Sequence, residues 1–141
     1  MTIKIIVPGE PVAQARPRVY RTKNGVRGVD PTKSRNYKAF VAQCAQQAYD
    51  DAPLEGPIDF RLMIYRPIQK AGSKLLKADK ANGKVLPTVK PDLDNVYKAV
   101  SDALTGIVYV DDNQITDLIV IKRYSDNPRV EVEVKEIGMD R

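Results

Sequence analysis

The apolar residues of this chain switch between two periods along its length, and that switching bounds the fold. Ile3, Ile5 and Val7 alternate with other residues over 2–7, until Pro8-Gly9-Glu10-Pro11 stops the pattern. Such alternation marks a strand with one buried face. Asp30-Pro31 reads as a helix start, an N-cap aspartate followed by proline at the first helical position. Tyr37, Phe40, Val41, Cys44, Ala45 and Ala48 then recur at helical spacing, to about Asp50. After a turn region at 53–57, Ile58, Phe60, Leu62 and Ile64 alternate with Asp59, Arg61 and Met63. This is a second strand, ending near Arg66-Pro67.

Residues 69–90 carry Lys70, Lys74, Lys77, Lys80, Lys84 and Lys90 against a single acid, Asp79. A short helix fits the centre of this stretch, while Gly83 and Pro87 break the rest into loop. Pro91 precedes a second main helix with Leu93, Val96, Tyr97, Val100 and Leu104 on its apolar face, and Gly106 ends it. Residues 107–110 fit a short strand. Residues 115–124 form a longer one, and the run Leu118-Ile119-Val120-Ile121 predicts burial on both faces. Asn127-Pro128 turns the chain into a last, half-exposed strand, where Val130, Val132 and Val134 alternate with charged residues. The order is β-α-β-(loop)-α-β-β. The expected fold is α+β, a single mixed sheet packed with two main helices, in one domain spanning 1–141.

Composition then narrows the chemistry. There is no histidine and one cysteine, Cys44. Histidine triads, imidazole bases, the usual zinc sites and intrachain disulfides are excluded. No apolar run reaches membrane-spanning length, and no signal-like segment follows Met1-Thr2-Ile3-Lys4, so a cytoplasmic protein is expected. Charge is unevenly placed. Residues 1–90 hold 17 Lys and Arg against 7 Asp and Glu, and residues 91–141 hold 6 against 11. Much of the early excess lies in a basic arm with Arg16, Arg18, Arg21, Lys23 and Arg27 around Tyr20. A basic stretch of this kind suits a polyanionic partner.

Two acidic groups flank the second main helix. Asp92-Leu93-Asp94-Asn95 opens it, and Asp111-Asp112 follows its end, where a tight return can bring the second pair back towards the first. Carboxylates without histidine suit Mg²⁺ or Mn²⁺, and gathering like charges is costly unless a cation neutralises them. Plainer roles compete. Asp92 or Asp94 can be a helix cap, and Asp111-Asp112 can be turn residues. An EF-hand fails, because Tyr97 falls at its glycine position. Lys98 lies four residues after Asp94, and spacing alone favours an ion pair there over a role at phosphate. Asp117 fits a solvated strand position.

Taken together, Lys90-Pro-Asp-Leu-Asp-Asn-Val-Tyr-Lys98, Asp102-Ala-Leu, Gly106-Ile-Val-Tyr-Val-Asp-Asp-Asn-Gln-Ile115, Lys122-Arg-Tyr124 and Pro128-Arg-Val-Glu-Val132 resemble the RusA family of Holliday junction resolvases. These are small endonucleases often carried by phages and prophages. The resemblance implies a homodimeric, Mg²⁺-dependent endodeoxyribonuclease, with Mn²⁺ as an alternative ion. It would cut four-way DNA junctions by paired symmetric nicks, in recombination and repair. The metal-binding set carries over to Asp92, Asp94, Asp111 and Asp112. The catalytic set carries over to Asp92, Asp94, Asp112 and Lys98, and the family match overrides the ion-pair reading of Lys98. A basic residue that some members place just before the first aspartate has its nearest counterpart in Lys90. Phosphate contacts then fall to Lys90 with Arg16, Arg18, Arg21 and Arg27, holding DNA without reading base sequence. The alternative is a non-catalytic nucleic-acid-binding protein of the same fold. A small-nucleotide phosphotransferase lacks its expected glycine-rich loop.

Overall fold

The computed structural model describes residues 2–14, 18–22, 25–29 and 32–138. Strand β1 (Thr2–Pro8) buries Ile3, Ile5 and Val7 and exposes the residues between them, as its alternation requires. The basic arm contains a feature absent from the expected order. Strands β2 (Arg18–Thr22) and β3 (Gly25–Val29) pair antiparallel as a separate two-stranded sheet. Helix α1 (Thr32–Ala48) follows; the expected cap at Asp30-Pro31 lies outside the described residues. Strand β4 (Ile58–Pro67) buries Ile58, Phe60, Leu62 and Ile64.

The lysine-rich stretch forms helix α2 (Lys74–Ala81), capped by Ser73, whose Oγ accepts from Leu76 N. One of its lysines is not a surface charge. Lys80 is buried, with Nζ 4.8 Å from the centre of the Tyr124 ring and bonded to Gln69 Oε1. Helix α3 (Leu93–Leu104) buries Val96, Ala99, Val100 and Leu104. The expected strand at 107–110 does not form. Gly106 adopts a positive φ of 85°, and the chain turns back so that Tyr109 makes only isolated bridges, to Leu54 and Thr105. Val108 and Tyr109 are fully buried, so their apolarity reflects core filling rather than a strand. Strands β5 (Ile115–Ser125) and β6 (Arg129–Glu136) complete the chain.

The main sheet is mixed, in the order β1-β6-β4-β5, with β4 and β5 parallel and the other pairs antiparallel. α1 and α3 cover one face, where Tyr37, Val41, Ala45 and the buried side of α3 join the inward residues of β1, β4 and β6. β5 departs from the sequence expectation. Among the described residues it is an edge strand bonded to β4 alone, and Leu118 and Ile119 are exposed instead of buried on both faces. Parallel neighbours share a face, so Leu118 and Val120 lie beside Phe60 and Leu62 on the helix side. Ile119 and Ile121 lie beside Arg61 and Met63 on the open side.

Candidate active site

The chain entering α3 is held from the sheet. Lys122 Nζ donates to the carbonyls of Val89 and Pro91, at 2.7 and 2.9 Å, and Arg66 Nε donates to that of Lys90 at 2.7 Å. Two sheet cations thus fix three consecutive carbonyls ahead of Asp92. Asp92 occupies the N-cap position with extended backbone, yet its side chain makes no capping bond. Among the described residues its carboxylate accepts only from Asn95 Nδ2, at 3.3 Å. Asp94 stands exposed in the first turn, where the helix dipole favours negative charge. The same turn anchors the root of the basic arm, because Gln14 N donates to Asn95 O at 2.9 Å.

Asp94, Lys98 and Asp102 follow at four-residue spacing on the exposed side of α3. Among the described residues Lys98 makes no ion pair, so the pairing with Asp94 that spacing favours does not form. Asp102 instead meets Lys38 Nζ of α1 at 3.5 Å.

Beyond the Gly106 turn, Asp111 and Asp112 divide their labour. Asp111 caps a short 3₁₀ turn (Asp112–Gln114): its carboxylate accepts from Asn113 N at 2.9 Å, and its own N–H donates to Gln114 Oε1 at 2.8 Å. Gln114 Nε2 in turn donates to the carbonyls of Leu54 and Gly56, at 2.8 and 3.0 Å. Asp111 is therefore a structural cap, and Asp112 is left exposed beside it. The Asp112 carboxyl is pushed above the ordinary carboxylate value. Hydrogen bonding with Asp111 is the main cause, followed by desolvation and by the charges of Asp111 and Asp102. Burial raises the hydroxyl pKa of Tyr97, and Asp112 and Asp102 add to it. The Tyr97 ring meets Phe60 edge-on at 5.4 Å, while Tyr109 OH donates to Ser101 O at 2.7 Å.

The return after α3 brings Asp111-Asp112 near Asp102, not back to Asp92. Gln114 ties the turn to the start of β4, whereas Arg66 and Lys122 tie Asp92 to the far ends of β4 and β5. Asp92 and Asp102 are ten residues apart on one helix, about 15 Å along its axis. Among the described residues no three carboxylates gather closely enough to hold one metal ion. In kind the donors do fit a hard divalent ion. They are exposed carboxylate oxygens, and the nearby Asp111 and Asp102 carboxylates add negative charge around Asp112. They stand in two groups, one at each end of α3.

Of the expected DNA contacts, Lys90 is exposed at the entrance to α3, Arg18 and Arg21 lie on β2, Arg27 lies on β3, and Arg16 falls outside the described residues. Arg66, Asp102, Gln114 and Lys122 also bear on this region; Asp102, Gln114 and Lys122 stand in the motif runs quoted above, whereas Arg66 carries no local signal in the sequence. Among the described residues no helix is long and apolar enough to cross a membrane.

The family model for endodeoxyribonuclease RusA matches residues 8–135. Among curated proteins the chain is similar to the "Uncharacterized protein YqaN" of Bacillus subtilis (strain 168). The two are 44% identical over 138 residues, covering 96% of this chain and 97% of that protein.

Proposed function

We propose a function from one premise: this chain belongs to the RusA family of endodeoxyribonucleases, whose members act on branched DNA and are generally divalent-metal dependent. It is a Mg²⁺-dependent, structure-selective endonuclease of the cytoplasm that resolves four-way junctions by paired symmetric nicks, in recombination and repair. The working unit is a homodimer. The observation that carries this reading is the division of the aspartates. Asp92, Asp94 and Asp112 stay exposed and cap nothing with their side chains, while Asp111 takes the structural task.

Among the described residues of one chain these carboxylates do not gather, and in this reading a second copy completes each site. Asp92 and Asp94 of one copy, with Asp112 of the other and Asp111 beside it, would hold Mg²⁺. When bound, the ion supplies an activated water and charge stabilisation for phosphodiester hydrolysis without an imidazole base. Asn95 orients the Asp92 carboxylate through its hydrogen bond. Lys98, free of any ion pair among the described residues, meets the scissile phosphate and offsets charge that builds on its oxygens. The root of the basic arm is tied to Asn95, which supports phosphate contacts from Arg16, Arg18, Arg21 and Arg27, with Lys90, close to the cut strand.

The test is denaturing electrophoresis of end-labelled four-way junction and matched duplex, with Mg²⁺ or EDTA. The reading predicts symmetric nicks in the junction with Mg²⁺ and none with EDTA. Asp94→Asn should abolish cutting and retain or strengthen junction binding, because it removes negative charge facing DNA. Binding without cutting by the wild-type protein under every divalent ion would instead support the non-catalytic alternative.

A further inference from the structure

We propose that the free edge of β5 is where a second copy of this chain docks, as an antiparallel strand pair centred on Val120. The inference rests on the homodimeric reading above and names its surface. β5 is the longest strand of the sheet, with 11 residues, and among the described residues it is bonded on one side only. A strand edge offers unpaired N–H and C=O groups, and proteins guard such edges with charge, proline or bulges. The middle of this edge carries no such guard. Leu118, Ile119, Val120 and Ile121 run uninterrupted, with Leu118 and Ile119 exposed to 44% and 45%.

The occupant is a second copy because the strand complements itself. Residues directly opposite in an antiparallel pair lie on the same face. A two-fold axis normal to the sheet keeps the helix-covered faces together, so one residue must lie opposite its own copy, with the axis midway between the two. Asp117, Ile119, Ile121 and Arg123 all lie on the open face. Centring on Val120 sets Asp117 against Arg123 of the second copy and Ile119 against its Ile121, each twice. Among registers centred on Leu118, Ile119, Val120 or Ile121, only this one joins opposite charges. On the helix side Val120 meets itself. The pairing also carries the Asp112 end of one β5 towards the sheet end that holds Asp92 and Asp94 of the other copy.

The register is testable by cross-linking in a Cys44→Ser background. Opposed Cα atoms in antiparallel strands lie about 4.5–5.5 Å apart, within disulfide range. Val120→Cys should give a covalent dimer of twice the 15.7 kDa chain on mild oxidation. Leu118→Cys, set opposite Lys122, should cross-link at least about tenfold less. In sedimentation equilibrium, Asp117→Arg and Arg123→Asp should each weaken dimerisation by about tenfold, and their combination should restore it. Circular dichroism checks that each variant folds. Equal cross-linking at 118 and 120, a monomeric wild-type protein, or unchanged dimerisation in both charge reversals would overturn the interface. Junction nicking by the same variants separates this failure from that of the nuclease reading. A protein that dimerises elsewhere and still cuts junctions loses only the β5 interface. One that pairs at Val120 and cuts nothing loses only the nuclease.

Discussion

Mixing two inactive variants discriminates between a site built within one chain and a site shared by two. The perturbation is Asp94→Asn in one preparation and Asp112→Asn in another. Asp94 lies in the first turn of α3, and Asp112 lies beyond its far end, near Asp102. If each site takes Asp94 from one copy and Asp112 from the other, either homodimer has two damaged sites. A heterodimer has one doubly damaged site and one intact site. Random 1:1 exchange makes about half of the dimers heterodimeric, so about a quarter of all sites are restored. Because the active heterodimer has one working site, its product is a singly nicked junction rather than a resolved one. The assay is nicking of labelled junction after the two preparations are exchanged and re-equilibrated, with each variant alone as baseline. Mixtures no more active than either variant alone would refute the shared site, provided subunit exchange is verified by a tagged copy.

Lys98→Ala should lower the single-turnover nicking rate by about 10²–10³-fold, the scale for removing one charge-stabilising donor at a reacting phosphate. Its melting temperature should shift by no more than about 2 °C, since Lys98 is exposed and unpaired among the described residues. Gln114→Ala removes two donated bonds to Leu54 and Gly56 and one accepted from Asp111. It should cost about 1–3 kcal/mol, lower the melting temperature by roughly 3–10 °C and slow nicking by loosening the turn that presents Asp112. Junction affinity should fall with salt at a log–log slope of about −0.9 per phosphate neutralised, and replacing Arg18, Arg21 and Arg27 with alanine should flatten that slope without moving the cut.

The strands with one buried face were legible because their residues carry the period themselves. Ile3, Ile5 and Val7 in β1, and Val130, Val132 and Val134 in β6, need no knowledge of the rest of the chain. β5 was legible as a strand and misleading as to place. A continuous apolar run reads the same in a central strand as at a sheet edge, and the pairing with β4 alone among the described residues distinguishes them. The β2–β3 pair carried no such alternation: its residues read as a run of basic side chains, and only the pairing of Arg18–Thr22 with Gly25–Val29 makes strands of them.

At the site, the residue types were readable and their arrangement was not. Histidine-free clustered aspartates name a class of chemistry, but the direction of return after α3 is set by distant contacts. Val108 and Tyr109 fill the core, and Gln114 reaches 60 residues back to Leu54. Lys80 illustrates the same limit. In the sequence it is one of six lysines available to phosphate, and in the fold it is buried against Tyr124.

The central claim is that two shared, metal-dependent sites cut a junction together. A supercoiled plasmid that extrudes a cruciform tests it most directly. Two nicks delivered within one binding event linearise the circle, whereas a single nick relaxes it and removes the cruciform. The account predicts linear product with Mg²⁺, with no accumulation of nicked circle, and intact plasmid with EDTA. Nicked circle as the main product of the wild-type dimer, or linear product formed equally well in EDTA, would contradict it.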